Sequence, residues 1–179
     1  MERCIQKMLY ALLALCLAGC NHVPISTMLK MAAFDGQDFV ALNPQDIRIK
    51  VLTVGAAEVR STSATMHGTI EAPAGLVSYS FDLQAYHSSV ATVRRDIFSG
   101  SAPATEVFYK FTEADIEQFY RIQSELGSSS RAKFTYSIGY GFDIGDQFKG
   151  EFDDISLSLF LMLKPEDGFM KVLDDVGFE

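Results

Sequence analysis

The sequence predicts a mostly β domain: an antiparallel β-sandwich of about six or seven strands, with one inserted helix and a short C-terminal helix. Apolar and polar residues alternate over much of residues 47–163, which is the two-residue period of a half-buried strand. Runs rich in glycine, proline and asparagine separate these segments as turns. Strands that are apolar on one face only must bury those faces against one another, as the two sheets of a sandwich do. A small β-barrel is the alternative.

Composition limits the classes of function. A chain of 179 residues with 48% hydrophobic residues has the size and apolar content of one folded domain. Its formal net charge of −8 provides no basic surface, so we expect no nucleic-acid partner. Anionic lipid headgroups also repel an acidic chain, so any attachment to a membrane should be covalent.

The N-terminus has the order of features of a bacterial signal peptide. Arg3 and Lys7 supply positive charge, and an apolar run of about eleven residues follows them. Such a run is shorter than the roughly 20 residues that cross a bilayer. It ends in a leucine, two small residues and a cysteine, Leu17-Ala18-Gly19-Cys20.

This ending resembles the lipobox of bacterial lipoproteins. The resemblance implies that Cys20 is lipidated with diacylglycerol, that a peptidase cuts before it, and that its new amine is acylated, with palmitate among the expected acids. Two or more acyl chains hold a protein on a membrane. In this class an Asp after the cysteine favours the inner membrane, so Asn21 implies the outer membrane, facing the periplasm.

We therefore expect a signal peptide at residues 1–19, a lipidated tether and entry segment at 20–45, and the β-sandwich domain at 46–179. Loss of Glu2, Arg3 and Lys7 leaves 13 basic and 22 acidic side chains, a net charge of −9. Only one cysteine remains, so no disulfide is expected within the mature chain.

The entry segment and the first half of the domain contain one predicted helix and five predicted strands. Ser26 is placed to cap a short helix that runs to about Phe34. After a turn, residues 47–51 alternate as the first strand, and residues 65–71 and 76–86 are spaced as the arms of a hairpin. A weak strand, a loop and a short strand follow, at residues 90–98, 99–104 and 107–111.

The inserted helix, over about residues 112–127, is indicated by its cap and its period. Thr112 and Asp115 have the spacing of a capping box, apolar residues then recur at helical spacing, and Gly127 supplies the stop. Two strongly alternating strands and a short C-terminal helix follow, at residues 133–142, 155–163 and 165–174.

One loop has side chains that suit a cation. The loop is rich in carboxylates, whose oxygen atoms are the ligands that hard cations such as calcium prefer. The candidate metal ligands are Asp143, Asp146, Glu151 and Asp153. Their spacing differs from that of an EF-hand, so a solvated acidic loop is the alternative.

The sequence contains no catalytic or cofactor motif that we can recognise. His22, His67 and His87 do not share a metal-ligand spacing, and no serine lies in a G-x-S-x-G motif. The glycines around Tyr140 resemble a phosphate loop, but a second strand follows them where a helix is required. We therefore expect no enzyme activity and no cofactor.

Aromatic residues on the polar sides of strands are the remaining feature. Tyr86, Phe108 and Phe160 are placed to form an exposed patch for a partner.

We expect a non-catalytic envelope interaction or assembly module that binds a protein through this patch or a sheet edge. In size and expected architecture it is similar to small β-sandwich lipoproteins of secretion machines, such as the type VI secretion lipoprotein, without a shared motif. The alternative is a periplasmic ligand- or glycan-binding or hydrolytic domain, in which Asp82 or Glu106 joins the acidic loop.

Overall fold

A computed structural model of the chain describes residues 22–55, 59–72, 75–96, 100–127, 132–144 and 155–177. The strands in these ranges are β1 (Arg48–Val54), β2 (Val59–Ala72), β3 (Gly75–Asp96), β4 (Gly100–Phe111), β5 (Lys133–Ile144), β6 (Ser156–Met162) and β7 (Met170–Gly177). The helices are α1 (Ile25–Ala33), α2 (Gly36–Val40) and α3 (Glu113–Leu126), and a single 3-10 turn spans Pro165–Asp167.

The seven strands form one antiparallel sheet in the order β5-β2-β3-β4-β1-β6-β7. The sheet curls into a half-barrel. Tyr140 of the edge strand β5 meets Tyr109 of β4, three strands away in the sheet order, with ring centroids 6.2 Å apart. The inner face therefore packs against itself, and the prediction of a mostly β, antiparallel sandwich or small barrel is confirmed.

The long strand β3 joins the two halves of this sheet. Its first part, Gly75 to Asp82, pairs with β2, and its second part, Leu83 to Asp96, pairs with β4. The predicted hairpin is therefore confirmed. Residues 90–96 of the weak strand predicted at 90–98 belong to the second half of β3, and the prediction of a loop at 99–104 is wrong, because Gly100 and the four residues after it begin β4.

The inserted helix α3 is confirmed together with its cap. The Thr112 hydroxyl accepts the Asp115 N–H at 3.2 Å, and the Asp115 carboxylate accepts the Thr112 N–H at 3.2 Å. Phe119 of α3 reaches the core inside the curl, with its ring 4.7 Å from Phe39 and 5.8 Å from Phe111. The helix thus covers the apolar interior at the end of β4.

The N-terminal segment lies along β7, the last strand at one edge of the sheet. Asp174 N–H donates to the His22 carbonyl at 2.7 Å, and the Thr27 hydroxyl of α1 donates to the Lys171 carbonyl. These bonds use backbone groups that an edge strand otherwise leaves open. The helix predicted here is present, with Pro24 rather than Ser26 at its N-cap. None of the helices in the described ranges has the length and apolar content needed to cross a membrane.

The C-terminal helix predicted at residues 165–174 is wrong. The 3-10 turn ends at Gly168, whose φ of 64° breaks the helical path, and the chain then pairs with β6 as strand β7. This pairing buries Val172 in the core, a gain that the residues could not reach as an isolated short helix.

Candidate interaction surface

The outer face of the sheet carries a row of aromatic and cationic side chains. The strand register places its members directly opposite one another on neighbouring strands, and residues so paired point to the same face. We call this set the aromatic row; from β3 to β7 it consists of His87, Phe108, Lys50, Phe160 and Lys171. The solvated face of an antiparallel sheet is usually polar, so this row is unusual.

The cations of the aromatic row lie over its rings. The Lys50 ammonium nitrogen is 4.2 Å from the ring centre of Phe160 and 5.9 Å from that of Phe108. The Lys171 ammonium nitrogen is 5.6 Å from the Phe160 ring centre, and the His87 ring is 5.5 Å from that of Phe108. The three ammonium distances lie within the roughly 6 Å range of cation–π attraction, whereas His87 and Phe108 make a contact between two rings. Each side chain therefore helps to hold its neighbour in place.

Two further aromatic residues flank the row. Tyr86 lies 6.2 Å from Phe108, centroid to centroid, with the Arg48 guanidinium 5.7 Å above its ring. Phe169 lies 6.0 Å from Phe108 and 5.7 Å from the Lys50 ammonium nitrogen. Tyr86 is 48% exposed and Phe169 is 38% exposed, whereas Phe108 and Phe160 are half-buried, so the two flanking rings are more accessible than the phenylalanines of the row.

Backbone irregularities direct both flanking rings. The register of β3 against β4 shifts between Ala85 and His87, which leaves Tyr86 as an extra residue without a partner on β4. Such a bulge re-aims the side chain at its centre. Gly168 has a φ of 64°, a left-handed conformation that glycine adopts without cost, and it turns the chain so that Phe169 folds over the row.

Acidic neighbours balance the two lysines. Lys50 forms an ion pair with Glu106, with nitrogen and oxygen 3.0 Å apart, and Lys171 pairs with Asp174 at 2.8 Å. Because the charges are compensated on the surface itself, the row presents aromatic area rather than a strong field of one sign.

Two clefts adjoin these elements. One of about 310 Å³ lies between α1 and the turn after β6, and its polar lining residues are Lys30, Asp38, Lys164 and Asp167. Four apolar residues of this cleft also line a core space of about 50 Å³: Met31, Phe34, Leu42 and Leu163. The other cleft, of about 530 Å³, contains Arg48 and so adjoins Tyr86 at the end of the aromatic row.

The structure brings together the aromatic residues that the sequence singles out. Tyr86, Phe108 and Phe160 all lie at the aromatic row. The alternation of β1 places Lys50 on its polar side, but no local pattern indicates that Lys50 lies between two phenylalanines. The sequence does not indicate Phe169 either, because the predicted helix at residues 165–174 contains it and does not place it beside the sheet.

Asp82 and Glu106, each considered as a partner of the acidic loop in a hydrolytic site, lie apart from each other. Glu106 is paired with Lys50 on the outer face, whereas the Asp82 N–H donates to the buried Asp115 carboxylate at 3.3 Å. Leu83, next to Asp82, pairs with Phe111, five residues along β4 from Glu106. That separation is roughly 17 Å. The loop carboxylates that either residue was expected to join lie outside the described residues, apart from the backbone of Asp143, so a hydrolytic pair with the loop stays a prediction.

The three histidines lie in different places. His22 contacts the Asp174 carbonyl with its Nδ1 at 2.9 Å, and His67 is exposed on β2. His87, one residue past the predicted hairpin arm at residues 76–86, lies within β3 beside Phe108. Across the described ranges, no group of three or more His, Cys, Asp and Glu residues is arranged to hold a metal ion.

Several predicted site residues fall outside the described residues. They are the metal candidates Asp146, Glu151 and Asp153, and the lipobox residues Leu17, Ala18, Gly19 and Cys20. Asp143, the fourth metal candidate, is described only through its backbone near the end of β5, where it pairs with Arg60.

Three tyrosines have raised pKa values because they are buried. Burial, with a smaller contribution from Tyr136, raises the pKa of Tyr79 to about 12. Burial also raises the pKa of Tyr136 and of Tyr140. These phenols stay neutral near pH 7, so they act as packing groups rather than as bases.

Comparison of the chain with models of known protein families, with curated proteins and with solved structures finds no match. The protein is therefore classed by its fold, a mostly β half-barrel with aromatic residues on its outer face. The proposal for its function rests on its own residues.

Proposed function

We propose that this chain is a lipid-anchored, non-catalytic interaction module of the bacterial cell envelope that binds a protein partner through the aromatic row. The anchor is the lipid on Cys20, and the expected location is the outer membrane, facing the periplasm. The lipobox spelled by residues 17–20 supports the anchor, and Asn21 supports the location.

The aromatic row, with Tyr86 and Phe169 beside it, is the single observation that carries the binding proposal. Tyrosine and arginine are enriched among the residues that contribute most to protein–protein binding, and aromatic residues are enriched at interfaces. Rings that are already held by neighbouring cations lose little conformational freedom when a partner covers them. The row therefore supplies a preorganised apolar centre, with Glu106, Arg48 and Asp174 as its polar surroundings.

The paired charges of the row predict how binding depends on salt. Because Lys50 and Lys171 already have acidic partners, binding should come from aromatic burial rather than from long-range attraction. We therefore expect the complex to depend only weakly on salt, unlike one that is held by exposed charges.

Site-specific photo-crosslinking in the native cells tests this function. A photoreactive phenylalanine replaces Tyr86, and in a second variant it replaces Tyr120, an exposed tyrosine of α3 with 45% of its surface accessible against 48% for Tyr86. We expect a discrete protein adduct from position 86 and none of that mass from position 120. Adding Phe169→Ser should weaken the adduct at position 86 because it removes a neighbouring ring.

Two results would contradict this function. One is a Tyr86 variant that forms no adduct although it accumulates normally in the envelope. The other is an identical set of adducts from positions 86 and 120, which would mean that crosslinking reports proximity in a crowded compartment rather than a binding surface.

A further inference from the structure

Helix α1 turns its apolar side outward. At 100° per residue, one stripe of roughly 140° contains only apolar residues, and every one of them is exposed: Ile25, Met28, Leu29, Ala32 and Ala33. The exposed fraction is 74% for Ile25, 69% for Leu29 and 44% for Met28. Thr27 is buried and Met31 half-buried on the opposite side. We call the exposed set the α1 stripe. A surface helix of a globular domain normally has the reverse arrangement.

His22, three residues before α1, is bonded to strand β7. His22 accepts the N–H of Asp174 through its carbonyl at 2.7 Å, and its Nδ1 lies 2.9 Å from the carbonyl of the same residue. Cys20 precedes His22 by two residues, which span about 7 Å even when fully extended. A lipid on Cys20 therefore enters the bilayer beside His22, only a few residues from the start of α1.

We propose that the α1 stripe lies against the bilayer that holds the Cys20 lipid. This inference rests on the lipid anchor of the proposed function. Apolar side chains of a short helix bind at the interface between headgroups and acyl chains because water is removed from them there. Ser26 borders the stripe and Lys30 follows it around the helix; the long Lys30 side chain can place its methylene groups along that interface and its ammonium group among the phosphates.

The protein therefore has a defined orientation on the membrane instead of swinging on a free tether. Two contacts on one side of the domain, the lipid and the α1 stripe, remove most of the rotational freedom that a single flexible attachment leaves. The overall negative charge does not oppose the contact on a zwitterionic surface, because such a surface has no net charge.

A fluorescent depth measurement on the processed, lipidated protein tests the inference. Cys20 is the last cysteine in the sequence and its thiol carries the lipid, so one introduced cysteine can be labelled alone. Leu29→Cys places an environment-sensitive label on the stripe. Val90→Cys is the matched control, because Val90 is 68% exposed and lies on β3, four strands from β7. Both proteins are reconstituted at low density into phosphatidylcholine vesicles with or without brominated acyl chains.

We expect a blue-shifted emission from position 29 that brominated lipid quenches severalfold, and neither effect from position 90. Emission from position 29 that stays water-like on vesicles that carry the protein would overturn this inference and leave the anchor standing. A shift that grows with protein density, without quenching, would also overturn it, because a second copy would then cover the stripe. A protein without acyl mass that does not float with vesicles would overturn both the anchor and this inference.

Discussion

Gly68 of β2 lies directly opposite Tyr79 of β3, and a β-carbon on Gly68 would stand 2.1 Å from the Tyr79 hydroxyl oxygen. The same β-carbon would be 2.5 Å from the carbonyl oxygen of Thr135 on β5. The ring of Tyr79 therefore covers the glycine, and its hydroxyl donates to the Thr135 carbonyl at 3.4 Å. The missing side chain of Gly68 thus allows the Tyr79 ring to cross β2 and reach the backbone of β5.

Gly68→Ala should destabilise the fold. The methyl group has no room, so Tyr79 and the β5 backbone must shift, an overpacking that typically costs about 1–3 kcal/mol. Gly177→Ala on β7 is the control, because a β-carbon there meets nothing within 4 Å. The free energy of unfolding, measured in urea, should fall for Gly68→Ala and change little for Gly177→Ala. Equal losses in both variants would contradict the close contact.

Stability should fall at alkaline pH, and Tyr79 should contribute to the loss. Its folded pKa of about 12 is above the ordinary value of 10.0, so the unfolded chain releases the phenolic proton first as pH rises. This contribution is fully present below about pH 10 and is lost between about pH 10 and 12. Urea unfolding of wild type and Tyr79→Phe, compared at about pH 9 and pH 11, should show a smaller loss in the variant, which lacks the phenol. The same dependence in both would exclude Tyr79 as a source.

Gln123 joins α3 to α2 through its side-chain amide. Its Nε2 donates to the carbonyls of Phe39 at 2.8 Å, Val40 at 3.2 Å and Leu42 at 2.9 Å, in a site that is only 8% exposed. Gln123→Glu replaces this donor with a carboxylate oxygen that faces the carbonyls. Such buried, unpaired acceptors cost about 1–3 kcal/mol or more.

We therefore expect Gln123→Glu to unfold at lower urea concentration than wild type. Gln84→Glu, at an exposed position on β3, is the control for the added charge and should behave nearly as wild type. The deficit of Gln123→Glu relative to wild type should shrink at acidic pH, where the protonated carboxyl donates again. A deficit that does not vary with pH would mean that the lost contacts are not hydrogen bonds.

Cys20→Ser should abolish lipidation, because a serine hydroxyl does not form the thioether. The intact mass of the purified protein should include the acyl groups in wild type and lack them in the variant, which is released from the membrane or left unprocessed. Cys16→Ser, within the apolar run, is the control and should be processed as wild type. A Cys20→Ser protein that is still trimmed and membrane-bound would contradict the lipobox interpretation.

Local features of the fold were open to prediction because they depend on residues close together in the sequence. The capping box of Thr112 and Asp115 and the period of α3 lie within a few turns of one helix. The alternation in β5 and β6 and the β2–β3 hairpin likewise involve neighbouring residues. The prediction for residues 165–174 failed because the same short segment suits a helix or a strand, and the open edge of β6 decided in favour of the strand.

The site depended on contacts that no local pattern contains. Lys50 and Phe160 are 110 positions apart in the sequence and meet only because β1 pairs with β6. Phe169 joins them because β7 forms and Gly168 turns the chain. By itself the sequence determined the mostly β class, the position of α3 and a lipobox-like N-terminus, since periodicity and motifs are properties of adjacent residues. Strand order, the aromatic row and the outward stripe of α1 were decided by the tertiary structure, because pairing between distant strands settles which side chains share a surface.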